Sequence, residues 1–288
     1  MPNPRQPIRA KKGSAIRSAV PRPTFRLASL CVGFLDSAQD RIFDRLLGVS
    51  TREILITEGS VFTAGRDNCP YSGSQWLPLR RALMGLAPGP SDVFVDLGSG
   101  KGKALLVAGR LPYRRVVGVE IDEELSRYSR RNIERVRPRL RAQEVESITA
   151  SVLEWPIPDE TSVVFMYNPF IGQTFRAAAS QIFESYDRRP RTLHIVYRYP
   201  WEHDWLVSTG RVVVDSVRPG NWPARPRWWQ SGHVIVSYRV VGNAAGSQSR
   251  ILPRRLIRPH RAIQRWSRPN GYRFTMSAPG QETFCSRS

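Results

Sequence analysis

Cysteine and lysine are the scarce residues of this 288-residue chain, and long apolar runs are missing altogether. Cys31, Cys69 and Cys285 form neither a disulfide framework nor a metal-ligand spacing, so no metal site and no oxidising compartment are expected. No apolar run approaches the roughly 20 residues that span a bilayer. The acid-free start followed by residues 27–35 has the charge of a targeting segment, but its apolar part is short and interrupted. The reading is a cytoplasmic protein without a membrane partner. Lysine stands only at 11, 12, 101 and 103, and arginine supplies the remaining basic charge. So uniform a preference is as well explained by coding bias as by phosphate recognition.

Acid is also missing from the ends. Residues 1–30 carry seven Lys or Arg and no acid, and residues 243–288 carry nine against one. Of the net charge of +20, only +5 is left for residues 31–242. The tails are rich in Arg and Pro without periodicity, so disorder is expected, although basic tails also suit nucleic acid. The remaining length is enough to bury a proper core.

What the chain does have is one dense stretch, Val93-Phe94-Val95-Asp96-Leu97-Gly98-Ser99-Gly100-Lys101-Gly102-Lys103, followed by the apolar residues 104–108. It reads as a buried strand, a tight glycine turn and the start of a helix. Glycines allow close approach of a ligand to the main chain, and the helix start offers free N–H groups and a positive dipole end. A dinucleotide fingerprint fails because the third glycine falls one residue early, and a phosphate loop of the G-x-x-x-x-G-K type fails on spacing. The remaining pattern, Asp96-x-Gly98-x-Gly100-x-Gly102, resembles the first motif of class I S-adenosylmethionine-dependent methyltransferases.

Before this stretch, a helix is predicted from Leu35 to Leu47 with Leu35, Ala38, Ile42 and Leu46 as its apolar face. It ends in Phe43-Asp44-x-x-x-Gly48-Val49-x-Thr51, a cluster for which periodicity gives no packing reason. A second helix, capped by Ser74, carries Trp76, Leu79, Leu83 and Leu86. After the glycine turn, residues 116–121 read as the second strand, with Glu120 at its carboxyl end, where open α/β sheets bind ligands. Glu120 can accept from both hydroxyls of a ribose; Asp122 is its rival, and either can cap the next helix. Arg130, Arg131, Arg135 and Arg137 read as a solvated outer face of that helix. Strands follow at 145–150, 162–167, 192–197, 211–217 and 233–241, the last two without an intervening helix. Seven strands with one antiparallel edge suit a doubly wound sheet.

Residues from about Ile42 to Val241 resemble a bacterial group of class I methyltransferases, distantly similar to the histone-lysine type named for disruptor of telomeric silencing. The matching features are the Phe43-Asp44/Gly48-Val49/Thr51 cluster, Tyr71, Asp96 to Gly102, Gly118-Val119-Glu120 and Asn168-Pro169-Phe170. The resemblance implies a Rossmann-like α/β sheet of order 3-2-1-4-5-7-6 with strand 7 antiparallel. It implies an N-terminal helical extension at 31–90 packed on a methyltransferase domain at 91–242, between basic tails at 1–30 and 243–288. The implied cofactor is S-adenosyl-L-methionine. Asp96, Gly98, Ser99, Gly100 and Gly102 would hold its methionine end, Glu120 its ribose, with Ile121 adjacent, while Tyr71 would help cover it. Ser151, Val152 and Leu153 would lie beside the adenine, although an acid is often found where Ser151 stands.

Methyl transfer from a sulfonium is an in-line displacement that asks mainly for positioning and loss of water. The best candidates for acceptor contact are Asn168, Pro169 and Phe170, where an Asn amide and a main-chain carbonyl can accept from an amine and a Phe face can stack. Asn168 would also touch the cofactor. A strand end closed by an Asn-Pro turn is the plainer explanation. His203 is a weaker candidate base, and Trp222, Trp228 and Trp229 either line an acceptor pocket or pack a hairpin. The leading expectation is an enzyme methylating nitrogen or oxygen of an unidentified small molecule or protein. The alternative is a nucleic-acid-binding protein, or a nucleic-acid methyltransferase, using its Arg-rich tails as contacts.

Overall fold

All five residues of Val93–Leu97 (β1) are buried, and the sheet is built outward from them. In the computed structural model the described residues are 38–51, 74–220 and 234–242, with three short strands at 266–267, 272–274 and 285–287. Tyr71, Trp222, Trp228 and Trp229 lie outside them, as do the tails apart from those strands. On one side β1 pairs in parallel with Arg115–Glu120 (β2), which pairs with Glu144–Thr149 (β3). On the other it pairs with Thr161–Met166 (β4), which pairs with His194–Arg198 (β5). Val212–Pro219 (β6) returns as an edge strand through Val234–Val240 (β7), which runs antiparallel to both β5 and β6. The order is β3-β2-β1-β4-β5-β7-β6, as the resemblance implies. Strand bounds differ from the expected ones by one or two residues.

The edge strand β6 is protected. A register shift between Val214 and Ser216 sets Asp215 beside His194 and Arg239, and Pro219 ends the ladder. A bulge, charges and a proline each discourage pairing with another chain. The remaining strands of the tail, Trp266–Ser267 (β8), Tyr272–Phe274 (β9) and Cys285–Arg287 (β10), form a separate antiparallel sheet where composition predicts no regular structure.

Helices cover both faces. Residues 38–47 (α1), Trp76–Met84 (α2), Lys103–Gly109 (α3) and Glu123–Val136 (α4) lie on one. There Trp76, Leu79, Leu83, Leu105, Leu106 and Ile133 meet Phe94, Val116, Phe165 and Val196 of the sheet. Gly172–Arg188 (α5) and His203–Ser208 (α6) cover the other, with Phe175, Ile182 and Leu206 against Val95, Val117, Val164 and Ile195. The alternation of odd and even strand positions between the two clusters is the period-2 geometry of a strand buried on both faces.

Helix α1 corrects the periodicity reading. Ile42 and Leu46, expected in the core, are 56% and 64% exposed, while Gln39, Asp40, Asp44 and Leu47 are buried. Polar contacts explain the inversion. The Asp44 carboxylate accepts from the Thr51 hydroxyl (2.7 Å), the Thr51 amide (3.0 Å) and Trp76 Nε1 (3.1 Å). Phe43 stacks on Trp76 at 5.7 Å, and Gly48 takes φ 68° so that the Val49 amide can return to the Asp44 carbonyl at 2.9 Å. The cluster without a packing reason is thus a helix stop held by one carboxylate.

Two smaller expectations also change. Ser74 is buried but does not cap α2, whose N-cap is Gln75 without a side-chain hydrogen bond. Arg135 is not merely a solvated residue: it donates to Gly48 O at 2.6 Å, and Arg139 donates to Leu46 O at 2.6 Å. Two arginines thereby satisfy carbonyls left open at the end of α1.

Replacing Asp44 with Ala strands three buried donors, and each unsatisfied group costs about 1–3 kcal/mol. Denaturant unfolding of Asp44→Ala should show a loss of at least about 2 kcal/mol, and Ile42→Gln a change within about 0.5 kcal/mol, as for exposed positions. A reversed ranking would return Ile42 to the core.

Candidate active site

The glycine turn joins β1 to α3 by three separate close approaches. Gly98, Gly100 and Gly102 have φ of 78°, 52° and 78°. A Cβ on Gly98 would stand 2.4 Å from Pro169 Cβ, and one on Gly102 would stand 2.3 Å from Ser129 Oγ of α4. Gly118 of β2, opposite Asp96, admits the loop from below, since its Cβ would meet Leu105 and Ser99 at 2.5 and 2.7 Å. Pro169 is thus seated against Gly98, and the segment after β4 closes directly over the loop after β1.

The loop amides are not a set of free donors. Those of Gly98 and Ser99 both reach Val119 O at 2.9 and 3.1 Å, Gly102 reaches Ser99 O at 2.9 Å, and Gly100 reaches Glu120 Oε2 at 2.7 Å. At these four positions the loop offers bare backbone at close range, and the free N–H groups expected of the helix start would be those of the first turn of α3. Asn132 of α4 fixes it from outside by donating to Lys101 O (3.0 Å) and Ser50 O (3.3 Å), which ties α1 to the turn. Lys101 is fully buried with Nζ 4.7 Å from the Tyr128 ring centre.

Two carboxyls meet at the ends of β1 and β2. Asp96 and Glu120 are 3% and 7% exposed. Burial first, then the charge of Glu120, pushes the Asp96 carboxyl well above its ordinary range. Burial also raises Glu120, against the lowering effect of the amides of Asp122 and Gly100. Glu120 Oε1 accepts from Asp122 N at 3.0 Å, while Asp122 Oδ1 caps α4 by accepting from Leu125 N at 3.0 Å. The rivalry between the two acids is settled for the cap: it belongs to Asp122. A carboxylate has about four acceptor positions, and those that Glu120 does not give to the amides of Gly100, Ile121 and Asp122 face a ligand.

Beside these acids lie two exposed apolar side chains, Ile121 (46%) and Leu153 (44%). Ser151 Oγ accepts from Leu153 N at 3.2 Å, and Ser151 O accepts from Glu154 N and Trp155 N. Its hydroxyl therefore builds the turn that presents Leu153. Val152 packs partly against the α5 side of the core. Of the three residues expected beside the adenine, Leu153 is the one whose side chain is exposed.

At the ends of β4 and β5 the backbone turns sharply, with φ of 43° at Asn168 and 55° at Tyr199. Such values in non-glycine residues concentrate at functional sites. Asn168 Oδ1 accepts from Tyr197 OH at 3.0 Å. Phe170 is 4% exposed and packs on Phe175 at 6.5 Å, so its ring supports Asn168 from the core and gives no exposed stacking face, contrary to expectation. His203 is 7% exposed, with Nδ1 2.6 Å from Tyr238 OH, and burial pushes its pKa down. It is a neutral core residue rather than a base. No group of His, Cys, Asp and Glu that could hold a metal ion occurs among the described residues. A cavity of about 380 Å³ lined by Trp155, Ile157, Asp159 and Arg188 includes none of the glycine-turn residues, Asp96, Glu120 or Asn168 to Phe170.

Residues 80–152, which hold the glycine turn, Glu120 and Ser151, match the family model described as histone methylation protein DOT1. The match covers those residues alone and, with the sheet order of a Rossmann-like methyltransferase fold, is consistent with a distant likeness to the DOT1 type. No curated protein matches the sequence. Among solved structures, one of a Thermoplasma acidophilum protein is similar at 18% identity over 58% of this chain and 87% of that chain, with a TM-score of 0.41. An RNA methyltransferase from Salinibacter ruber in complex with S-adenosyl-L-homocysteine shares 19% identity over 64% and 97%, with a TM-score of 0.40. A SAM-dependent methyltransferase from Aquifex aeolicus shares 14% over 57% and 89%, with a TM-score of 0.40.

Gly98 and Gly210 separate conformational from steric cost. Both have φ above 60°, but a Cβ on Gly210 meets nothing within 4 Å. Gly210→Ala should lose about 1 kcal/mol from the backbone alone, and Gly98→Ala should lose about 1–3 kcal/mol more from the overlap with Pro169. Equal losses in thermal unfolding would show that the seat of Pro169 on Gly98 contributes nothing.

Proposed function

We propose that the chain binds S-adenosyl-L-methionine across the carboxyl ends of β1 and β2 and methylates nitrogen or oxygen of an acceptor placed at the ends of β4 and β5. The observation that carries this is the pair of buried carboxyls, Asp96 and Glu120, beside a turn whose glycines leave no room for side chains. Asp96 is raised by burial and by Glu120, with neither a cation nor a hydrogen bond among the causes to offset them. A ligand ammonium would supply the missing charge. Glu120 has acceptor capacity left for the ribose beyond its amide contacts, and Ile121 and Leu153 offer apolar surface for the adenine. The residues present therefore fit this cofactor, which supplies an activated methyl group when bound.

The remaining work falls to the chain's own groups. Gly98 and Pro169 keep the ends of β1 and β4 in contact, which fixes the distance between cofactor and acceptor sites. Asn168, with its amide oxygen held by Tyr197, orients the acceptor. In-line displacement then depends on alignment and exclusion of water, the main contributions available where the leaving group is already activated. The acceptor is expected to be a small molecule or a protein.

The linkage of Asp96 gives a pH test. An ammonium prefers the carboxylate, so the complex holds fewer protons than the free protein across the range below the raised pKa of Asp96. Calorimetry with S-adenosyl-L-homocysteine should show affinity rising with pH through that range, by up to about tenfold per unit, and then levelling. Asp96→Asn should bind about 10–100-fold more weakly, the value of a charge-assisted hydrogen bond, and with a flatter pH profile. Glu120→Gln should weaken binding and, by removing the charge that helps raise Asp96, move the pH-dependent rise to lower pH without abolishing it. Absence of binding by the intact protein would remove the proposal.

A further inference from the structure

Arg198, the last residue of β5, is 5% exposed and lies with its guanidinium carbon 4.5 Å from the ring centre of Tyr167. Stacking on Tyr167 accounts for the face of the guanidinium but not for its in-plane donors. Its buried Nη1 has no hydrogen-bond partner among the described residues, and Arg198 forms no ion pair there. The nearby acids do not pair with it. Asp40 gives its Oδ2 to Lys103 at 3.0 Å while its buried Oδ1 makes no hydrogen bond, and Asp44 is held by Thr51 and Trp76. The charge of Arg198 even acts on Lys103, in the direction that lowers the lysine's pKa. A buried cation without a carboxylate costs several kcal/mol unless something else supplies the anion.

Its position says where that anion comes from. Arg198 stands at the carboxyl end of β5, between Tyr167–Asn168 after β4 and the strained Tyr199. Tyr199 stacks on Trp201 at 6.5 Å, and the Tyr167 hydroxyl contributes to raising the Tyr199 pKa, so three aromatic side chains gather around the guanidinium's end of the strand. This is the acceptor side of the crevice, opposite Asp96 and Glu120.

We propose that Arg198 is a specificity-determining residue that receives an oxyanion of the methyl acceptor, a carboxylate or a phosphate monoester, by in-plane hydrogen bonds while its face rests on Tyr167. The inference rests on the methyltransferase reading for the word acceptor; the anion site itself rests on Arg198. Planar guanidinium donors match both oxyanions in paired geometry, which a lysine ammonium does not.

The test uses intact protein saturated with S-adenosyl-L-homocysteine and three ring probes of similar shape: benzoate, phenyl phosphate and benzamide. In calorimetric titrations at least one anion should bind at least tenfold more tightly than the neutral amide, and which anion wins identifies the group. Arg198→Met should abolish the preference, Arg198→Lys should keep part of it, and both should bind S-adenosyl-L-homocysteine as the parent does. The proposal is overturned if benzamide matches both anions, or if the preference survives in Arg198→Met. It is equally overturned if a folded Arg198→Met loses S-adenosyl-L-homocysteine itself, since the guanidinium would then hold the cofactor's carboxylate. Should Arg198→Met fail to fold, the comparison of anions with the amide on the parent protein decides. If the parent does not bind S-adenosyl-L-homocysteine, the methyltransferase reading fails, and the same three titrations without it still decide the anion site.

Discussion

The hydrogen bond from the Gly100 amide to Glu120 Oε2, at 2.7 Å, is the constraint on which the crevice depends. It spans the ends of β1 and β2, fixes the middle of the glycine turn and aims the carboxylate along the strand ends. Burial works against the charged form of Glu120, and the backbone amides work for it. Around this bond every other amide of the turn that is engaged finds a protein partner, so the conformation is set before any ligand arrives. Such preorganisation matters for a reaction that gains from alignment more than from proton transfer.

The N-terminal extension is coupled to that turn by polar groups rather than by an apolar stripe. Asp40 reaches Lys103 at the first position of α3, Asp44 holds the end of α1, and Asn132 joins Ser50 to Lys101. Burial lowers the pKa of Lys103 while Asp40 and Asp44 raise it, so the pair replaces lost hydration only in part. Truncating one member of such a pair is costly because the other is left buried. Displacement of α1 would therefore be felt at the glycine turn, with no wire of apolar contacts needed between them.

The sheet was legible because its strands are continuous apolar runs and its turn chemistry is local. Val93 to Gly102 states both the strand and its stop, and Val116 to Glu120 does the same for its neighbour. The site was legible where one residue type meets one backbone demand, as with Gly98 or Asp96. It was not legible where a residue's role depends on a distant partner. Ile42 and Leu46 lost the core to Asp40 and Asp44 because Lys103, Trp76 and Thr51 are elsewhere in sequence. Phe170 followed hydrophobicity into the core beneath Asn168, and His203 was taken by Tyr238 of β7. Periodicity reports local environment, and these outcomes were decided by contacts across the sheet.

Withdrawal of His203 shapes the chemistry more than its presence would have. With that imidazole bound to Tyr238 and Asn168 held by Tyr197, the carboxylate that stands at the ends of β4 and β5 is Glu202, whose Oε1 accepts from the Gly172 amide at 2.8 Å. On the proposed reading, a nucleophile arriving protonated would have to lose its proton to that carboxylate or to water. A nucleophile that arrives with a lone pair already available, a neutral amine or an ionised oxygen, meets no such requirement. On the proposed reading, the Asn168 amide and the tight seat of Pro169 on Gly98 would supply orientation for either class, so that alignment and loss of water rather than proton transfer would set the rate.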